Sequence, residues 1–387
     1  MSRPRRWRAD GRLLFAAVVA LVIGVPLGVS LIDTAADQPS TFSVVLWAGW
    51  IVGAALGAIV IIHGVQRLVS APSAGLALAY DALPILLVGA WVLVVPSLVT
   101  GHWLLAAVAG GLCAYHLHLV LPRFRSTPTP SWVATAPTFT LCVANVFIDN
   151  PTPDLAARAL IEAAADVLII VESTPSFMAH FDAGGGRDRY PHRIFDPDDT
   201  SDYAVTIATL QPLAEGSRPE THGDLRVMRA VVPVDQRDVT VMGINPMATV
   251  DPGGFDTWRA QLRALRHTLA HVHGPLVLAG DLNTSRYRPE FSRLLATGLT
   301  DAHDDLGRGL APSFKLSATG VLAAIGPVAR LDHALTNHEV HPVEVVELEA
   351  NGSDHLPFIV TLAVRPARRT RRHRGDARRM STASLPA

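Results

Sequence analysis

Apolar residues are distributed along this chain in two regimes that meet near Pro122. Before it, long runs nearly free of charge alternate with short polar breaks. Leu13 to Ile32, Val44 to Ile62, Ala82 to Val99 and Trp103 to Leu121 each approach the roughly 20 helical residues that cross a bilayer's hydrocarbon. Four transmembrane helices are predicted, over 13–32, 44–62, 82–99 and 103–121; the buried helices of a soluble protein rarely sustain runs this long. After Pro122 the pattern shortens and alternates. Phe139 to Phe147 reads as a strand, Asp154 to Ala165 as a helix and Val167 to Val171 as a strand. Tyr203 to Thr209, Leu225 to Val232 and Val239 to Ile244 are β-rich with little helix between them. From Asp256 to Val272 a helix is predicted, with Trp258, Leu262, Leu265 and Leu269 on one face. Strands joined directly, mixed with strands joined through helices, argue for a pair of mixed sheets in an α+β or α/β sandwich.

The chain's 387 residues exceed an ordinary single domain, and a mean hydropathy of +0.28 is high for a soluble protein. Almost all of the excess lies before Pro122. The predicted organisation is therefore a transmembrane region over 1–121, a Pro/Ser/Thr-rich extended linker over 122–137, a globular domain over 138–364 and an Arg-rich disordered tail over 365–387. Arg3, Arg5, Arg6, Arg8 and Arg12 precede the first span, which is longer than the apolar core of a signal peptide and reads as a retained anchor. The first loop carries Asp33 and Asp37, the second Arg67, so the positive-inside rule puts the N-terminus in the cytoplasm, and four spans return the chain there. Asp81, His116 and His118 are ionisable groups near span ends, where a solvated role outweighs an intramembrane one. Cys113 falls in a predicted span and Cys142 in a predicted strand, so no framework disulfide is available. Eight arginines between Arg365 and Arg379 face a single Asp376, suiting anionic lipid or nucleic acid as well as plain solvation.

The chemistry concentrates where strands end. Pro275 to Asn283, PLVLAGDLN, is an apolar strand running into Asp281 and Asn283, which holds a carboxylate at the fixed position needed to align water or a metal ion. Arg330-Leu-Asp332-His333 and Ser353-Asp354-His355 also border runs that read as strands, and Asn145 and Glu172 follow two earlier ones. Alternation puts His333 on the face opposite Asp332, as a structural neighbour. The acidic run Asp196, Asp198, Asp199 and Asp202 reads as a solvated loop, part of a long loop over Ala183 to Ser201 that could border a cleft.

In the order N…E…GDxN…LDH…SDH, over Thr138 to about Val364, the chain resembles the endonuclease/exonuclease/phosphatase superfamily, and within it the membrane-anchored branch in which a few spans precede the domain. The resemblance implies a four-layer α/β sandwich, two packed mixed sheets flanked by helices, and hydrolysis of a phosphoester with Mg²⁺ or Mn²⁺. It implies Glu172 as the principal metal carboxylate, with Asn145 and Asp354 completing or supporting the metal environment. Asp281 would orient or deprotonate the attacking water, Asn283 would help hold the phosphate, and His355, paired with Asp332, would contact it. A carboxylate behind an imidazole fixes its tautomer and stabilises its charged form. There is one departure. Family members commonly place a histidine after the strand that ends at Ile244, where this chain has Asn245-Pro246. Asparagine donates a hydrogen bond but delivers no proton near neutral pH, so a catalytically impaired binding module is the second expectation. Anchored relatives display this domain outside the cell, against the span count, and the substrate class stays open among nucleic acid, lipid headgroup and sugar phosphate.

Overall fold

A computed structural model of the chain describes residues 41–65, 74–196, 201, 203–249 and 253–367. The predicted span over 13–32, the basic N-terminus, Asp198, Asp199, Asp202 and the tail beyond 367 lie outside the described residues.

The globular region is two six-stranded mixed sheets packed face to face. The first runs in the order β13 (Val340–Glu347), β14 (Phe358–Val364), β1 (Thr138–Asn145), β2 (Val167–Val171), β4 (Val205–Thr209), β3 (His192–Ile194). The second runs β5 (Arg218–His222), β6 (Leu225–Val234), β7 (Arg237–Ile244), β8 (Leu276–Asp281), β12 (Asp332–Asn337), β9 (Leu299–Asp301). Leu141, Val143, Ile169, Ile207, Val241, Val277, Ala334 and Val360 fill the space between the sheets. Outside the first sheet, Cys142, Leu168 and Ile170 pack on α5 (Pro153–Ala163) and α6 (Pro175–Ala183), through Ala157, Leu160, Phe177 and Phe181. Outside the second, Met242, Leu278 and Leu335 pack on α8 (Gly254–Leu269) and α9 (Pro289–Leu295). The four-layer α/β sandwich is thus the observed fold. β2, VLIIV, is buried at every position because helices cover one face and the other sheet the opposite one. In α8, Trp258, Leu262, Leu265 and Leu269 are all buried, the stripe that the spacing predicts.

Several segments hold elements that the sequence pattern does not predict. The stretch between Ala183 and Ser201 holds the short helix α7 (Gly186–Arg189) and the edge strand β3, which local polarity conceals. Of its acidic run, Asp196 pairs with Arg226 at 2.6 Å. A small hairpin of β10 (Phe314–Lys315) and β11 (Pro327–Ala329), also unpredicted, lies beside the polar edge of the sandwich.

Before the sandwich come α1 (Thr41–Val65), α2 (Ala74–Asp81), α3 (Leu83–Val99) and α4 (Trp103–Val120). The predicted helix over 82–99 restarts at Leu83, with Pro84 in its first turn, where a missing N–H costs nothing. Leu56, Leu83, Leu87, Ala90 and Leu112 pack together, while Val88, Val92, Val95 and Leu104 point outward. Trp47–Gly64 and Trp103–Phe124 are long and apolar enough to cross a membrane, and Leu83–Val99 is shorter.

This helical bundle is seated on the sandwich. Asp81 Oδ1 accepts from the Ser285 N–H at 2.8 Å and from Arg288 Nε at 2.9 Å, and its other oxygen pairs with the same guanidinium. His63 bonds the Tyr115 hydroxyl at 2.7 Å and the Tyr287 carbonyl at 2.9 Å. The Pro/Ser/Thr stretch joins in: Thr127 N donates to Asp305 O, and Arg123 O accepts from Gly309 N, each at 2.8 Å.

Candidate active site

Sheet register brings the strand-end residues together. In the second sheet Ile244 sits opposite Gly280 across a parallel pair and Asp332 opposite Asp281 across an antiparallel one, so Asn245, Asp281 and Asp332 share one edge. In the first, Asn145 pairs with Val171, which puts it beside Glu172. His355 precedes β14 and bridges to Phe314. All eight sequence candidates fall on this edge or next to it.

Close approach of β7 and β8 explains the glycine of GDLN. A Cβ on Gly280, whose φ is 137°, would lie 2.0 Å from the Ile244 carbonyl oxygen. Two candidate positions also carry left-handed backbone, Glu172 at φ 59° and Asn283 at φ 49°. Asparagine tolerates this conformation, whereas glutamate there stores on the order of 1–3 kcal/mol that the surrounding fold must offset.

The polar groups form one continuous network. Asn145 Nδ2 donates to Glu172 Oε1 at 2.8 Å and to Asp281 Oδ2 at 3.2 Å, while its Oδ1 accepts from the Phe147 N–H at 3.0 Å. The Phe147 bond fixes the amide so that its NH₂ faces both carboxylates. Glu172 Oε2 accepts from the Ile148 N–H at 2.7 Å. Asp281 Oδ1 accepts from the Asn283 N–H at 2.7 Å, and Asn283 Nδ2 donates to Pro246 O at 2.9 Å and Asn245 Oδ1 at 3.4 Å. His355 lies between two carboxylates, with Nδ1 2.7 Å from Asp332 Oδ2 and Nε2 3.6 Å from Asp281 Oδ2. His333 turns to the other face, where it binds Asp301 at 2.6 Å and the Thr284 carbonyl at 3.0 Å.

Burial and charge set the protonation of these groups. Burial pushes Glu172 up to about 7, against the Asn145 and Ile148 hydrogen bonds. Burial likewise raises Asp281 to about 6; the His355 charge opposes the rise and the Asp332 charge adds to it. For His355 burial acts downward, but Asp332 and Asp281 overcome it and raise the imidazole to about 10. At neutral pH the site therefore holds an imidazolium between two carboxylates.

A model of the Endonuclease/Exonuclease/phosphatase family matches residues 142–355, more than half of the chain. The chain belongs to that family. Several solved structures are similar to it. An endonuclease/exonuclease/phosphatase from Beutenbergia cavernae is 18% identical, with 59% of this chain and 72% of that one covered and a TM-score of 0.46. Sphingomyelinase C from Streptomyces griseocarneus is 17% identical over 58% of this chain and 99% of its own, with a TM-score of 0.44. A beta toxin mutant from Staphylococcus aureus with bound magnesium ions is 14% identical over 58% and 99%, with a TM-score of 0.42. No curated protein matches.

Members of the Endonuclease/Exonuclease/phosphatase family hydrolyse phosphoesters with divalent metals, and the residues present fit such an ion. Glu172, Asp281 and Asp354 are oxygen donors of the kind a hard cation takes. Asp354 Oδ1 is buried with no hydrogen-bond partner, and burial raises its carboxyl above the usual range, as expected of an anion awaiting a counter-charge. Among the described residues, the acidic and histidine donor atoms that lie within 4.8 Å of one another are those of Asp281, Asp332 and His355. A protonated imidazole has no lone pair to offer a cation, so His355 would have to give up its proton to join an ion there. Asn145 presents its NH₂ to the carboxylates, so in this arrangement it orients Glu172 and Asp281.

Three supporting groups carried no assigned role in the sequence reading. Ser313 Oγ donates to Asp332 Oδ2 at 2.6 Å and accepts from the Leu331 and Asp332 N–H groups, so one hydroxyl fixes the carboxylate behind His355. It comes from an irregular segment with no motif around it. Ser353 Oγ donates to the Asn145 carbonyl at 2.8 Å and accepts from the His355 N–H at 3.0 Å, which ties the segment before β14 to the end of β1 at the site. The Ile148 amide, from the loop after β1, is invisible to any pattern of side chains.

Proposed function

We propose that the protein is a membrane-anchored, Mg²⁺-dependent phosphoesterase whose reaction is attack of water on phosphorus. The observation that carries this reading is the buried chain Asp332–His355–Asp281 running into Asn145 and Glu172. Asp281, held by the Asn283 N–H and Asn145, becomes ionised above about 6 and can orient a water and take its proton near neutral pH. His355, kept cationic by Asp332 and Asp281, binds a phosphate oxygen and stabilises the charge that grows there. Asn283 and Asn245 complete the polar wall around the phosphate. A divalent ion held by Glu172 and Asp281, with Asp354 in support, would neutralise phosphate charge and polarise phosphorus. As the water oxygen bonds to phosphorus, the ester P–O bond breaks and the leaving oxygen departs with the electron pair. Asn245 has no proton to give it, so an ester whose alcohol leaves readily as an anion suits this site, or one protonated by solvent. Anchoring rests on the apolar helices α1 and α4, and the bilayer and the Arg-rich tail's attraction to anionic lipid or nucleic acid belong to the same reading.

The test is hydrolysis of a generic phosphodiester and a phosphomonoester by the full chain in detergent, with Mg²⁺ or EDTA, beside Asp281→Ala. Turnover that needs metal and disappears in the variant supports the assignment. A specific observation favours a second reading, a silent binding module: Asn245 stands where a proton donor is usual. No turnover by the parent with restored turnover in Asn245→His would establish that alternative.

A further inference from the structure

Arginine carries almost all of the positive charge in this chain. Of its 33 lysines and arginines a single one is lysine, Lys315, and the fold sets it at the catalytic edge. The Lys315 N–H donates to the Asp354 carbonyl at 2.8 Å, and the Leu356 N–H donates to the Ser313 carbonyl at 2.7 Å. Between these two bonds Phe314 lies opposite His355 in an antiparallel bridge, with the rings 5.1 Å apart. Opposed residues in such a ladder project to the same side and chain neighbours alternate, so Lys315 accompanies Asp354 as Phe314 accompanies His355. Burial raises the Asp354 carboxyl, and the charges of His355 and Lys315 both act against the rise, which puts the ammonium within electrostatic reach of that carboxylate.

Arginines near this edge are already committed to carboxylates. Arg330 is buried facing Asp301, Glu347 and Asp332, Arg308 pairs with Glu347 at 3.1 Å, and Arg226 pairs with Asp196 at 2.6 Å. Lys315 is half-buried, and its ammonium makes no hydrogen bond or close ion pair among the described residues. It does not close on Asp354 either, whose Oδ1 keeps no hydrogen-bond partner. The charge is therefore available to a ligand. A phosphoester brings anionic oxygens that need donors; His355 supplies one cation, and Asn245 supplies none. An ammonium offers three donors and a compact charge on a flexible stem, which suits a phosphate oxygen. We propose that Lys315 is a substrate-binding residue of this site, its ammonium taking one anionic phosphate oxygen from the Asp354 side while His355 takes another. The assignment rests on the phosphoesterase reading above. It also ranks substrates: above its second pKa of about 6 a phosphomonoester carries one more negative charge than a phosphodiester, so the ammonium favours the monoester.

Because the chain has one lysine, an amine-acylating reagent reads the site directly. The full chain in detergent with Mg²⁺ is treated with an N-hydroxysuccinimide acetate, with and without inorganic phosphate, and peptide mass spectrometry follows acetylation of Lys315. Phosphate is expected to slow modification of Lys315 and to leave a free lysine peptide in the same tube unaffected. Phosphate binding measured by calorimetry with Mg²⁺ should weaken roughly tenfold in Lys315→Gln and be largely kept in Lys315→Arg. In turnover, Lys315→Gln should raise KM, more for a phosphomonoester than for a phosphodiester, with kcat changing less. Acetylation of Lys315 that ignores saturating phosphate, or equal phosphate affinity in wild type and Lys315→Gln, would overturn the proposal. So would a Lys315→Gln variant altered in Mg²⁺ affinity alone, which would make the lysine a counter-charge to Asp354. The two readings fail differently: phosphate that protects Lys315 without any turnover keeps the binding role and removes the hydrolase, whereas a protein that neither binds phosphate nor turns over removes both.

Discussion

The ion pair between Asp81 and Arg288 couples the helical bundle to the sandwich, and a double-mutant cycle measures by how much. Both side chains are almost fully enclosed, at 5% and 2% exposure. Arg288 is further held by Thr249 Oγ1 at 3.2 Å and stacks 5.1 Å over the Trp258 ring, while Asp81 also takes the Ser285 N–H. Removing one partner strands a buried charge, which costs about 3–5 kcal/mol. Asp81→Leu and Arg288→Met should each fall in that range, while the double variant, with apolar groups of similar volume, should lie within about 1–2 kcal/mol of the parent. The predicted coupling is therefore several kcal/mol, far above the ~0–1 kcal/mol of an exposed pair. Chemical unfolding of the four proteins in one detergent, followed by tryptophan fluorescence, supplies the cycle. Hydrogen exchange at Ser285–Arg288 localises it, because these amides should open faster in Asp81→Leu. Since this loop begins at Asn283, two residues after Asp281, turnover should fall in each single variant and recover in the double. A double variant that loses the sum of the two single losses would refute the docking.

Three further outcomes follow from the site. Gly280→Ala places a methyl 2.0 Å from the Ile244 carbonyl, so the β7–β8 pair must separate at the active edge; a loss above about 2 kcal/mol in unfolding, with turnover abolished, is expected. Glu172 and Asp281 are raised to about 7 and about 6, so in the metal-free protein stability falls as pH rises from the ordinary carboxylate values up to these raised ones, and the loss is complete above them. A divalent ion that binds their charged forms should therefore raise Tm more at pH 8 than at pH 5.5, with proton release on binding measured by calorimetry in buffers of different ionisation enthalpy. His355 is raised, so its protonated form contributes stability that is complete below the ordinary value of 6.5 and lost as pH rises through about 10. Asp332→Asn removes its largest upward influence, and an NMR titration should find the imidazole pKa lowered well below that of the parent.

How much of this was legible beforehand can be judged residue by residue. Asp281, Glu172 and Asn145 were found because each sits where a buried apolar strand stops, and Asp332 because it opens one, a local signal that needs no knowledge of which strands are neighbours. That Asp281 faces Asp332 across an antiparallel pair, with Asn245 on the other side across a parallel one, depends on strand order in the sheet, which reached the sequence reading only through a family resemblance. The helix α8 was legible because four large side chains recur at helical spacing; β3 and α7 were hidden because three or four residues are too few for any period to register. Asp81 shows the limit most clearly. Hydropathy sees an acidic residue at the edge of an apolar run, for which a solvated role is the ordinary reading. Its partner, Arg288, lies 207 positions away in the chain, behind a motif already explained by catalysis. A one-dimensional pattern reports what each residue is like and cannot report which distant residue completes it. For the same reason Ser313 escaped notice: a lone serine in an irregular segment acquires a role only when the fold brings Asp332 to within 2.6 Å of it.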